Sequence, residues 1–522
     1  MRKFILSIVA FLVFAGIIRA DSLVLLHTND THSMIESDGE GRGGVLPRKV
    51  IIDSIRQVEK NVLLIDAGDM VQGTLYFKFF GGEVEYPLMN MLGYDIRVLG
   101  NHEFDNGISS LAEYYKKVDA ECLSANYDFA QTALKGIFKP YTIKKIGNKK
   151  IGFIGLNVDP KGLIAEQNIE GVVWSDIIEV ANNTAEFLKK KKKCDLIVAI
   201  THIGYENRDG KTTDVELAQQ SRYIDIIIGG HSHTLIDPND SSKYPSIIQN
   251  INGKKVLIAQ CGKSGKYLGY IKIDMKNIDT GMFDYQLFPV NERIDKSVYD
   301  KRIIDFISKY KSTVDSINSV PVGYASVDLD NEQTTGAFAN WAGDYAMYEG
   351  QRLADSLRIA NPELGLPQRI DLGMMNVGGI RQFIKEGIIY EGQVLSTFPF
   401  ANRMVIVKIK GEYLYEALSS AARRQGEAIS DEVRVVVNKD WSVRSILISG
   451  KHIDKEKDYY ISTLDYLAWG NDGMEALTKG EIVWSDNKDS CVPILRYIRY
   501  LTENGMPVTA DPHSRFVEAV DL

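Results

Sequence analysis

The sequence predicts an α/β protein with at least two domains. Short apolar segments rich in Val, Ile and Leu alternate with amphipathic segments from Ser22 to about Arg293. Strands of this composition are typical of sheets that are buried on both faces by helices. The chain has 522 residues, which is enough for two to four domains of about 100 to 200 residues each. We therefore expect a layered α/β domain first and at least one further domain.

The first twenty residues have the features of a secretory signal peptide. Arg2 and Lys3 precede an apolar run that ends at Ile18, and the small residue Ala20 follows. The run is short for a permanent anchor, because a helix needs about 20 apolar residues to cross a bilayer. Residues 1–20 are therefore predicted to be cleaved. The mature protein is expected to be exported, as a periplasmic, secreted or cell-surface protein without an integral membrane span.

The first domain is predicted to comprise residues 21–295. The segments SLVLLHTND, NVLLIDAGD and YDIRVLGNHE are expected to form strands, and VIIDSIRQVEK and SSLAEYYKKV are expected to form helices between them. The pair Gly147-Asn148 lies between two strand-like segments and predicts a hairpin.

A connector helix is predicted over residues 296–320. Its apolar residues recur at alternating spacings of four and three, and Pro321 follows the last of them. The remaining residues, 321–522, contain mixed helix-like and strand-like segments such as EYLYEALSSAA and VRVVVN. They predict a second domain of the α+β class.

The charge balance excludes one class of partner. The chain has 61 Lys and Arg residues and 69 Asp and Glu residues, for a net charge of -8. Proteins that bind nucleic-acid polymers contact phosphates through clustered basic residues, and an acidic chain lacks the required field. We therefore expect a small-molecule partner and no nucleic-acid polymer. The sequence does not determine the oligomeric state.

Five of the eight histidines are candidate site residues, and they lie with acidic and amide residues in four short motifs. The motifs are LHTNDTH, IDAGD, LGNHEFD and the pair AITHIG with IIGGHSH, and each stands at the carboxyl end of a strand-like segment. In an open α/β sheet this edge binds ligands. The candidate site residues are Asp30, His32, Asp69, Asn101, His102, Asp105, His202, His231 and His233.

These side chains are typical of a hydrolytic metal centre. In an extended backbone, the i, i+2 spacing of Asp30 and His32, and of His231 and His233, directs both side chains of each pair to a common point. Carboxylate, imidazole and amide ligands without cysteine favour Zn, Mn or a similar divalent ion. Seven candidate ligands exceed the needs of one ion. Two ions that share a carboxylate would use all of them, which suits in-line displacement at phosphorus.

The motifs DxH, GD, GNHE and GGHSH resemble those of the calcineurin-like metallophosphoesterases. In the C-terminal part, NVGGIR, STFPFAN and YLAWGNDG resemble the C-terminal domain of the 5'-nucleotidase family. Together the resemblances cover nearly all of the mature chain. They imply a layered αββα domain, a second substrate-binding domain, and hydrolysis of nucleoside 5'-monophosphates by attack of a metal-bound hydroxide on phosphorus.

The resemblance also implies a role for each residue of the first domain. His102 and Asp105 would form a catalytic dyad. Asp69 would bridge the two metal ions. The first ion would be held by Asp30, His32, Asp69 and His233, and the second by Asp69, Asn101, His202 and His231.

In the second domain the resemblance implies a nucleotide site. Arg381 would bind phosphate, Tyr466 would stack on the base and Asp472 would accept hydrogen bonds from the ribose. Met404 stands where family members often have a second aromatic ring. The predicted substrate-binding residues are Asn376, Gly378, Gly379, Arg381, Tyr466 and Asp472.

Two other functions remain open from the sequence. The same dimetal chemistry could act on 2',3'-cyclic nucleotides, nucleotide sugars or another phosphoester. A surface protein that binds nucleotide without turnover is a minor alternative from another class. Phosphate release from a panel of such esters would separate the three functions.

Overall fold

A computed structural model describes residues 22–206, 210–330 and 333–519. The contacts between described residues form two compact units, one of residues 22–160 and 166–311, the other of residues 161–165 and 312–519. The predicted signal peptide, residues 1–20, lies outside the described part of the chain. The domain boundaries read from the sequence stay a prediction.

The first unit contains two six-stranded sheets and a small two-stranded sheet. Its strands are β1 Ser22–Thr28, β2 Val62–Asp66, β3 Ile96–Val98, β4 Glu121–Leu123, β5 Tyr127–Asp128, β6 Tyr141–Ile146, β7 Lys149–Asn157, β8 Val173–Trp174, β9 Leu196–His202, β10 Ile226–Ile228, β11 Ile247–Gln249, β12 Lys255–Ala259, β13 Tyr267–Asp274 and β14 Asp284–Pro289. Its helices are α1 Val45–Val58, α2 Leu75–Phe80, α3 Glu85–Leu92, α4 Gly107–Tyr115, α5 Ile177–Lys190 and α6 Asp214–Gln220.

The two larger sheets have parallel centres. The order of one is β14-β13-β1-β2-β3-β4, and that of the other is β11-β12-β10-β9-β7-β6. Every residue of β1 and β9 is buried, as expected for strands covered on both faces. The sheets approach closely where Gly155 of β7 meets Leu123 of β4, since a Cβ at Gly155 would overlap the Leu123 backbone. Helix α5 packs on β7 and β9. The predicted layered α/β architecture is confirmed.

The predicted hairpin at Gly147-Asn148 is confirmed. It joins β6 to β7, which pair antiparallel with Ile146 opposite Lys149. This hairpin forms one edge of its sheet, where β6 pairs only with β7 within the described sheet order.

The connector segment contains helix α7, which covers Lys301–Asn318. It is shorter than the predicted helix over 296–320, because Asp300 caps its first turn by accepting the N–H of Arg302 at 2.9 Å. A separate 3-10 turn precedes it. The apolar stripe that predicted the helix is packed as expected: Ile303 and Val314 are buried. Among the described residues, no helix is both long enough and apolar enough to cross a bilayer.

The second unit contains sheets of five, four and two strands. Its strands are β15 Pro321–Ala325, β16 Leu372–Met375, β17 Gly387–Tyr390, β18 Met404–Lys410, β19 Ala428–Ile429, β20 Val433–Val437, β21 Val443–Ile448, β22 Lys451–His452, β23 Asp458–Leu464, β24 Glu481–Ser485 and β25 Phe516–Glu518. Its helices are α8 Ala337–Ala360, α9 Glu391–Thr397, α10 Gly411–Arg423, α11 Asp465–Ala468 and α12 Cys491–Glu503.

The five-stranded sheet of this unit has the order β19-β16-β23-β18-β24. Strands β16 and β23 are parallel neighbours, with Leu372 opposite Ile461 and Gly373 opposite Ser462. Their carboxyl ends therefore lie side by side. Helix α8 packs on both strands. The α10 residues Leu414 and Leu418 belong to a core cluster that also contains Leu372 of β16 and Ile461 of β23. The four cysteines of the chain are buried and form no disulfide.

Candidate functional site

The predicted ligands of the first unit lie at the carboxyl ends of five strands. Asp30 follows β1, Asp69 follows β2 and Asn101 follows β3, and these strands are parallel neighbours in one sheet. His202 ends β9 and His231 follows β10, and these two strands are parallel neighbours in the other sheet. The loops of both sheets therefore contribute side chains to one region of the unit.

One group of possible metal ligands consists of Asp30, His32 and His233. The Nε2 atoms of His32 and His233 are 2.9 Å apart. The Asp30 Oδ1 atom is 3.6 Å from His233 Nε2 and 3.9 Å from His32 Nε2. The other ring nitrogen of His32 lies 3.4 Å from the carbonyl oxygen of Val71. Two imidazole nitrogens and a carboxylate oxygen that converge in this way form a donor set for a cation.

A second group consists of Asp69, His202 and His231. The His202 Nε2 atom is 3.2 Å from Asp69 Oδ2, while its Nδ1 donates to the carbonyl of Ala67 at 2.7 Å. A backbone partner on one ring nitrogen fixes the tautomer and leaves the other nitrogen for a metal ion. Asn101 joins this group, with its Oδ1 atom 2.9 Å from His231 Nδ1.

The two groups are adjacent. His202 of the second group has its Nε2 atom 4.0 Å from the Oδ1 atom of Asp30 in the first group. The backbone N–H of His231 also donates to both Asp30 carboxylate oxygens, at 3.1 and 3.0 Å. The structure thus brings all seven predicted ligands together.

The backbone of these loops differs from the expectation. Asp30 and His32 have φ angles of 49° and 46°, and His231 and His233 have φ angles of 78° and 57°. The prediction that each pair stands on an extended backbone was therefore wrong. The left-handed conformation places Asp30 and His32 in one group, but it divides His231 and His233 between the two groups. Strained backbone of this kind is concentrated at functional sites.

Burial and mutual contacts shift the titration of these groups. Burial raises the pKa of Asp30 to about 7 and lowers the pKa of His231 to about 3. Burial also opposes the ionisation of Asp69, but His202 and His102 hold the pKa of this carboxyl well below its usual range. The buried carboxylates and imidazoles form a site whose donor chemistry fits divalent cations.

The predicted dyad is also assembled. The Nδ1 atom of His102 donates to Asp105 Oδ2 at 3.0 Å, and Gln72 Nε2 donates to the same oxygen at 3.1 Å. The backbone N–H of His102 donates to Asp69 Oδ1 at 2.9 Å. The ring lies beside that of His32, with centroids 5.6 Å apart. Asp105 therefore orients the His102 ring next to the metal ligands.

Sequence reasoning missed a residue that holds two of these loops together. The Glu103 carboxylate accepts the backbone N–H groups of Asp69, Met70 and Gly100, at 3.1, 3.0 and 2.5 Å. Glu103 is buried and follows His102 in the motif GNHE. Its place in that motif was the available signal, but nothing in the sequence shows which backbone groups it contacts.

In the second unit, four of the predicted substrate-binding residues lie together. Asn376 follows β16, and Tyr466 lies in α11, directly after β23. Asn376 Nδ2 donates to Asp472 Oδ2 at 3.0 Å, and the Tyr466 hydroxyl donates to Asp472 Oδ1 at 3.3 Å. A Cβ at Gly378 would lie 3.7 Å from Asp472 Oδ2. The parallel pairing of β16 and β23 explains this assembly.

The other two predicted residues of this unit lie in the same turn. Gly379 packs on the side-chain amide of Asn376. The guanidinium of Arg381 lies 3.5 Å from the carbonyl oxygen of Gly378 and 6.0 Å from the ring centroid of Phe400. Met404 is fully buried in β18, so its side chain does not replace the second aromatic ring at the surface of the site.

Two further contacts to the predicted nucleotide residues were not anticipated. In the short segment that belongs to the second unit, the carbonyl oxygen of Gly162 accepts the Asp472 N–H at 3.0 Å. The carbonyl oxygen of Leu163 lies 3.4 Å from the Tyr466 hydroxyl and shares its single proton with Asp472 Oδ1. Arg424 is 3.7 Å from Asp472 Oδ1. The segment is far from β16 and β23 in sequence, and Arg424 reads as an ordinary charge at a helix end, so neither carried a signal.

Known proteins share both parts of this architecture. The family model for the calcineurin-like phosphoesterases matches residues 23–235, and that for the 5'-nucleotidase C-terminal domain matches residues 320–479. The 5'-nucleotidase of Mus musculus is 27% identical over 518 residues, covering 91% of this chain and 87% of that protein. The trifunctional nucleotide phosphoesterase protein YfkN of Bacillus subtilis is 27% identical over 506 residues, covering 88% of this chain and 32% of that protein.

A solved structure agrees with these sequence matches. The crystal structure of a 5'-nucleotidase precursor from Thermus thermophilus aligns with a TM-score of 0.77 at 26% identity, covering 95% of this chain and 99% of that chain. The matches extend through both units and include the loops that carry the metal-binding motifs. The chain therefore combines a calcineurin-like phosphoesterase domain with a 5'-nucleotidase C-terminal domain, and it is a metal-dependent phosphoester hydrolase.

Proposed function

We propose that the protein hydrolyses nucleoside 5'-monophosphates to nucleoside and inorganic phosphate. The observation that carries this proposal is the pair of adjacent donor groups around Asp30 and Asp69, with the ring of His102 beside them. The Asn376 and Asp472 cluster of the second unit adds polar groups suited to a nucleoside. The similarity to the mouse 5'-nucleotidase supports the same substrate class.

The residues of the first unit would hold two divalent ions, such as Zn²⁺ or Mn²⁺. Asp30, His32 and His233 would hold one ion, and Asn101, His202 and His231 the other, with Asp69 shared between them. Such ions lower the pKa of a coordinated water and stabilise charge on phosphoryl oxygens. The proposal is supported by the absence of thiolates from the donor set and by the burial of Asp30 and Asp69.

His102 would act on the substrate directly. Its Nδ1 donates to Asp105, and its Nε2 lies 4.0 Å from Asp69 Oδ2, beside the predicted metal ligands. In this position Nε2 would contact a phosphoryl or leaving-group oxygen. The charged imidazole of His102 would donate a proton to the departing alkoxide, and Asp105 would stabilise the charged form of the ring before this transfer. Gln72 would restrict rotation of the Asp105 carboxylate through its 3.1 Å contact.

The second unit would bind the nucleoside and the phosphate. Arg381 would pair with phosphate oxygens, which the arginine fork contacts in a bidentate manner, and Gly378 and Gly379 would let the backbone approach. Tyr466 would stack on the base. Asn376 and Asp472 would meet the ribose hydroxyls.

The proposal is tested with purified mature protein and added Mn²⁺ or Zn²⁺. Hydrolysis of AMP, UMP, UDP-glucose, ATP and 2',3'-cyclic AMP is followed by chromatography of the nucleotide products together with phosphate release, because the cyclic nucleotide and the nucleotide sugar can be cleaved without releasing phosphate. Asp69→Asn is the control for metal-dependent turnover. We expect the highest kcat/KM for AMP or UMP and no turnover by the control. A preference for the cyclic nucleotide or for UDP-glucose would contradict the 5'-monophosphate assignment.

A second candidate function uses the same centre on other nucleotide esters. It is favoured by the similarity to a Bacillus subtilis protein named as a trifunctional nucleotide phosphoesterase. A nucleotide-binding protein without turnover is disfavoured, because every predicted metal ligand is present and assembled. The N-terminal signal pattern supports export, and detection of the protein in the extracytoplasmic fraction with residues 1–20 removed would test it.

A further inference from the structure

The Asp472 carboxylate is held by residues on three sides. Oδ2 accepts the side-chain amide of Asn376 at 3.0 Å, and Oδ1 accepts the Tyr466 hydroxyl at 3.3 Å. The guanidinium of Arg424 stands 3.7 Å from Oδ1. Only 12% of the Asp472 side chain is exposed. A carboxylate can accept about four hydrogen bonds, so these contacts fix its orientation and leave lone pairs for a ligand.

Arg424 also contacts a second, fully buried carboxylate. Its Nε atom is 3.7 Å from Glu427 Oε1, and the Glu427 side chain is 1% exposed. Glu427 Oε2 accepts the backbone N–H of Val377 at 2.8 Å. Val377 follows Asn376 in the turn that carries the predicted phosphate-binding residues. Arg424 therefore links the Asp472 segment to the Asn376 turn.

These contacts close a ring through both substrate-binding segments. In this closed series of contacts, Arg424 contacts Asp472, which accepts from Asn376. The peptide bond links Asn376 to Val377, whose N–H is accepted by Glu427, and Glu427 contacts Arg424 again. The planar guanidinium can face two carboxylates at once, whereas a lysine ammonium is a single point charge. Removing Arg424 would leave Glu427 buried without its cationic partner and would remove one of the groups that orient Asp472.

We propose that Arg424 is a positioning residue that holds the Asp472 carboxylate for the two ribose hydroxyls, and that the site thereby distinguishes ribonucleotides from 2'-deoxyribonucleotides. This inference rests on the proposed nucleotidase function. Asp472 in this fixed orientation would accept from both hydroxyls of a ribose. A 2'-deoxyribose would leave part of the desolvated carboxylate without a partner, and sites built to bind a hydroxyl discriminate strongly against ligands that lack it.

The test compares Arg424→Met and Arg424→Lys with wild type, with Arg423→Met as the control. Arg423 is the neighbouring arginine and is exposed. The values of kcat and KM are measured for 5'-AMP, 2'-deoxy-5'-AMP and p-nitrophenyl phosphate. For Arg424→Met we expect KM for 5'-AMP to rise by about tenfold or more with a smaller change in kcat, and the preference for 5'-AMP over 2'-deoxy-5'-AMP to fall towards one. Arg424→Lys should restore part of this preference.

Turnover of p-nitrophenyl phosphate, which has no ribose, should stay within about twofold of wild type in every variant. In an Asp472→Ala background, Arg424→Met should cause no further loss of the ribose preference. If Arg424→Met kept the wild-type preference for 5'-AMP over 2'-deoxy-5'-AMP, or lost equal activity on all three substrates, this inference would be overturned. The proposed nucleotidase function would be unaffected by either result. A wild-type protein that cleaves p-nitrophenyl phosphate but neither nucleotide would overturn the proposed function and, with it, this inference.

Discussion

At the scale of single residues, two neighbours in the chain contact different partners. Asn101 directs its amide oxygen towards His231 at 2.9 Å, while the next residue, His102, turns its ring to Asp105. The 3-10 turn that begins at His102 separates the two side chains. We therefore expect that mutation can remove the proposed metal binding and the proposed proton transfer independently.

We expect His102→Ala to retain its metal ions and to lose about 10² to 10⁴ in kcat. In the proposed mechanism the ring contributes general acid catalysis, which has this magnitude, and the ring does not belong to either converging ligand group. Metal content by mass spectrometry and kcat for AMP are measured on the same preparation. Loss of metal together with activity would show that His102 is a ligand.

A second residue controls a pH dependence of stability. Burial raises the pKa of Glu85 to about 7. One of its oxygens accepts the Ser33 hydroxyl, and the other has no hydrogen-bond partner among the described residues. The unfolded chain releases this proton at lower pH, so the contribution of Glu85 to stability is present below pH of about 4.5 and is lost as pH rises through about 7.

We therefore expect the stability of Glu85→Gln relative to wild type to be higher at pH 8 than at pH 5. The amide keeps the size of the side chain and cannot ionise. Thermal unfolding of wild type and variant at both pH values measures the effect, which should be a few degrees. Parallel shifts of both proteins with pH would show that the pKa of Glu85 is the same in the folded and the unfolded chain.

At the scale of elements, the loops after β2 and β3 form one interlocked unit. A Cβ at Gly100 would overlap the Asp69 carboxylate and its backbone nitrogen. Gly100 also donates its N–H to Glu103, which accepts from Asp69 as well. The glycine of the motif GNHE is thus required by the close approach of the two loops.

We expect Gly100→Ala to lower metal content and kcat/KM by at least about tenfold, because Asp69 must move to admit the methyl group. Gly39→Ala is the matched control, since a Cβ at Gly39 meets no atom within 4 Å. Metal analysis, activity and circular dichroism are compared for both variants. Wild-type metal content in Gly100→Ala would contradict the proposed coupling of the loops.

The sequence predicted the regular elements better than the loops. The buried strands β1 and β9 follow from uninterrupted apolar runs, and α7 follows from its stripe of apolar residues. The left-handed backbone at Asp30 and His231 does not follow, because it depends on contacts between loops of different sheets. For the same reason the roles of Glu103 and Arg424 could not be predicted, although the ligand residues themselves could.

At the scale of the whole molecule, functional residues are divided between the two units. The first unit carries the converging ligands and His102, and the second carries the Asn376 and Asp472 cluster. The net charge of -8 is spread over the chain, whereas two bound cations in the first unit would set the local potential that a phosphate ester meets there. An acidic protein is therefore compatible with a small anionic substrate.

The most direct test of the account is a metal titration of the stripped protein. Wild-type protein is treated with a chelator, dialysed and titrated with Mn²⁺ or Zn²⁺ while phosphate release from AMP is recorded. We predict no activity without metal and a rise that is complete at about two equivalents per chain, as the two adjacent donor groups require. Full activity of the stripped protein, or saturation at one equivalent, would contradict the proposed dimetal centre.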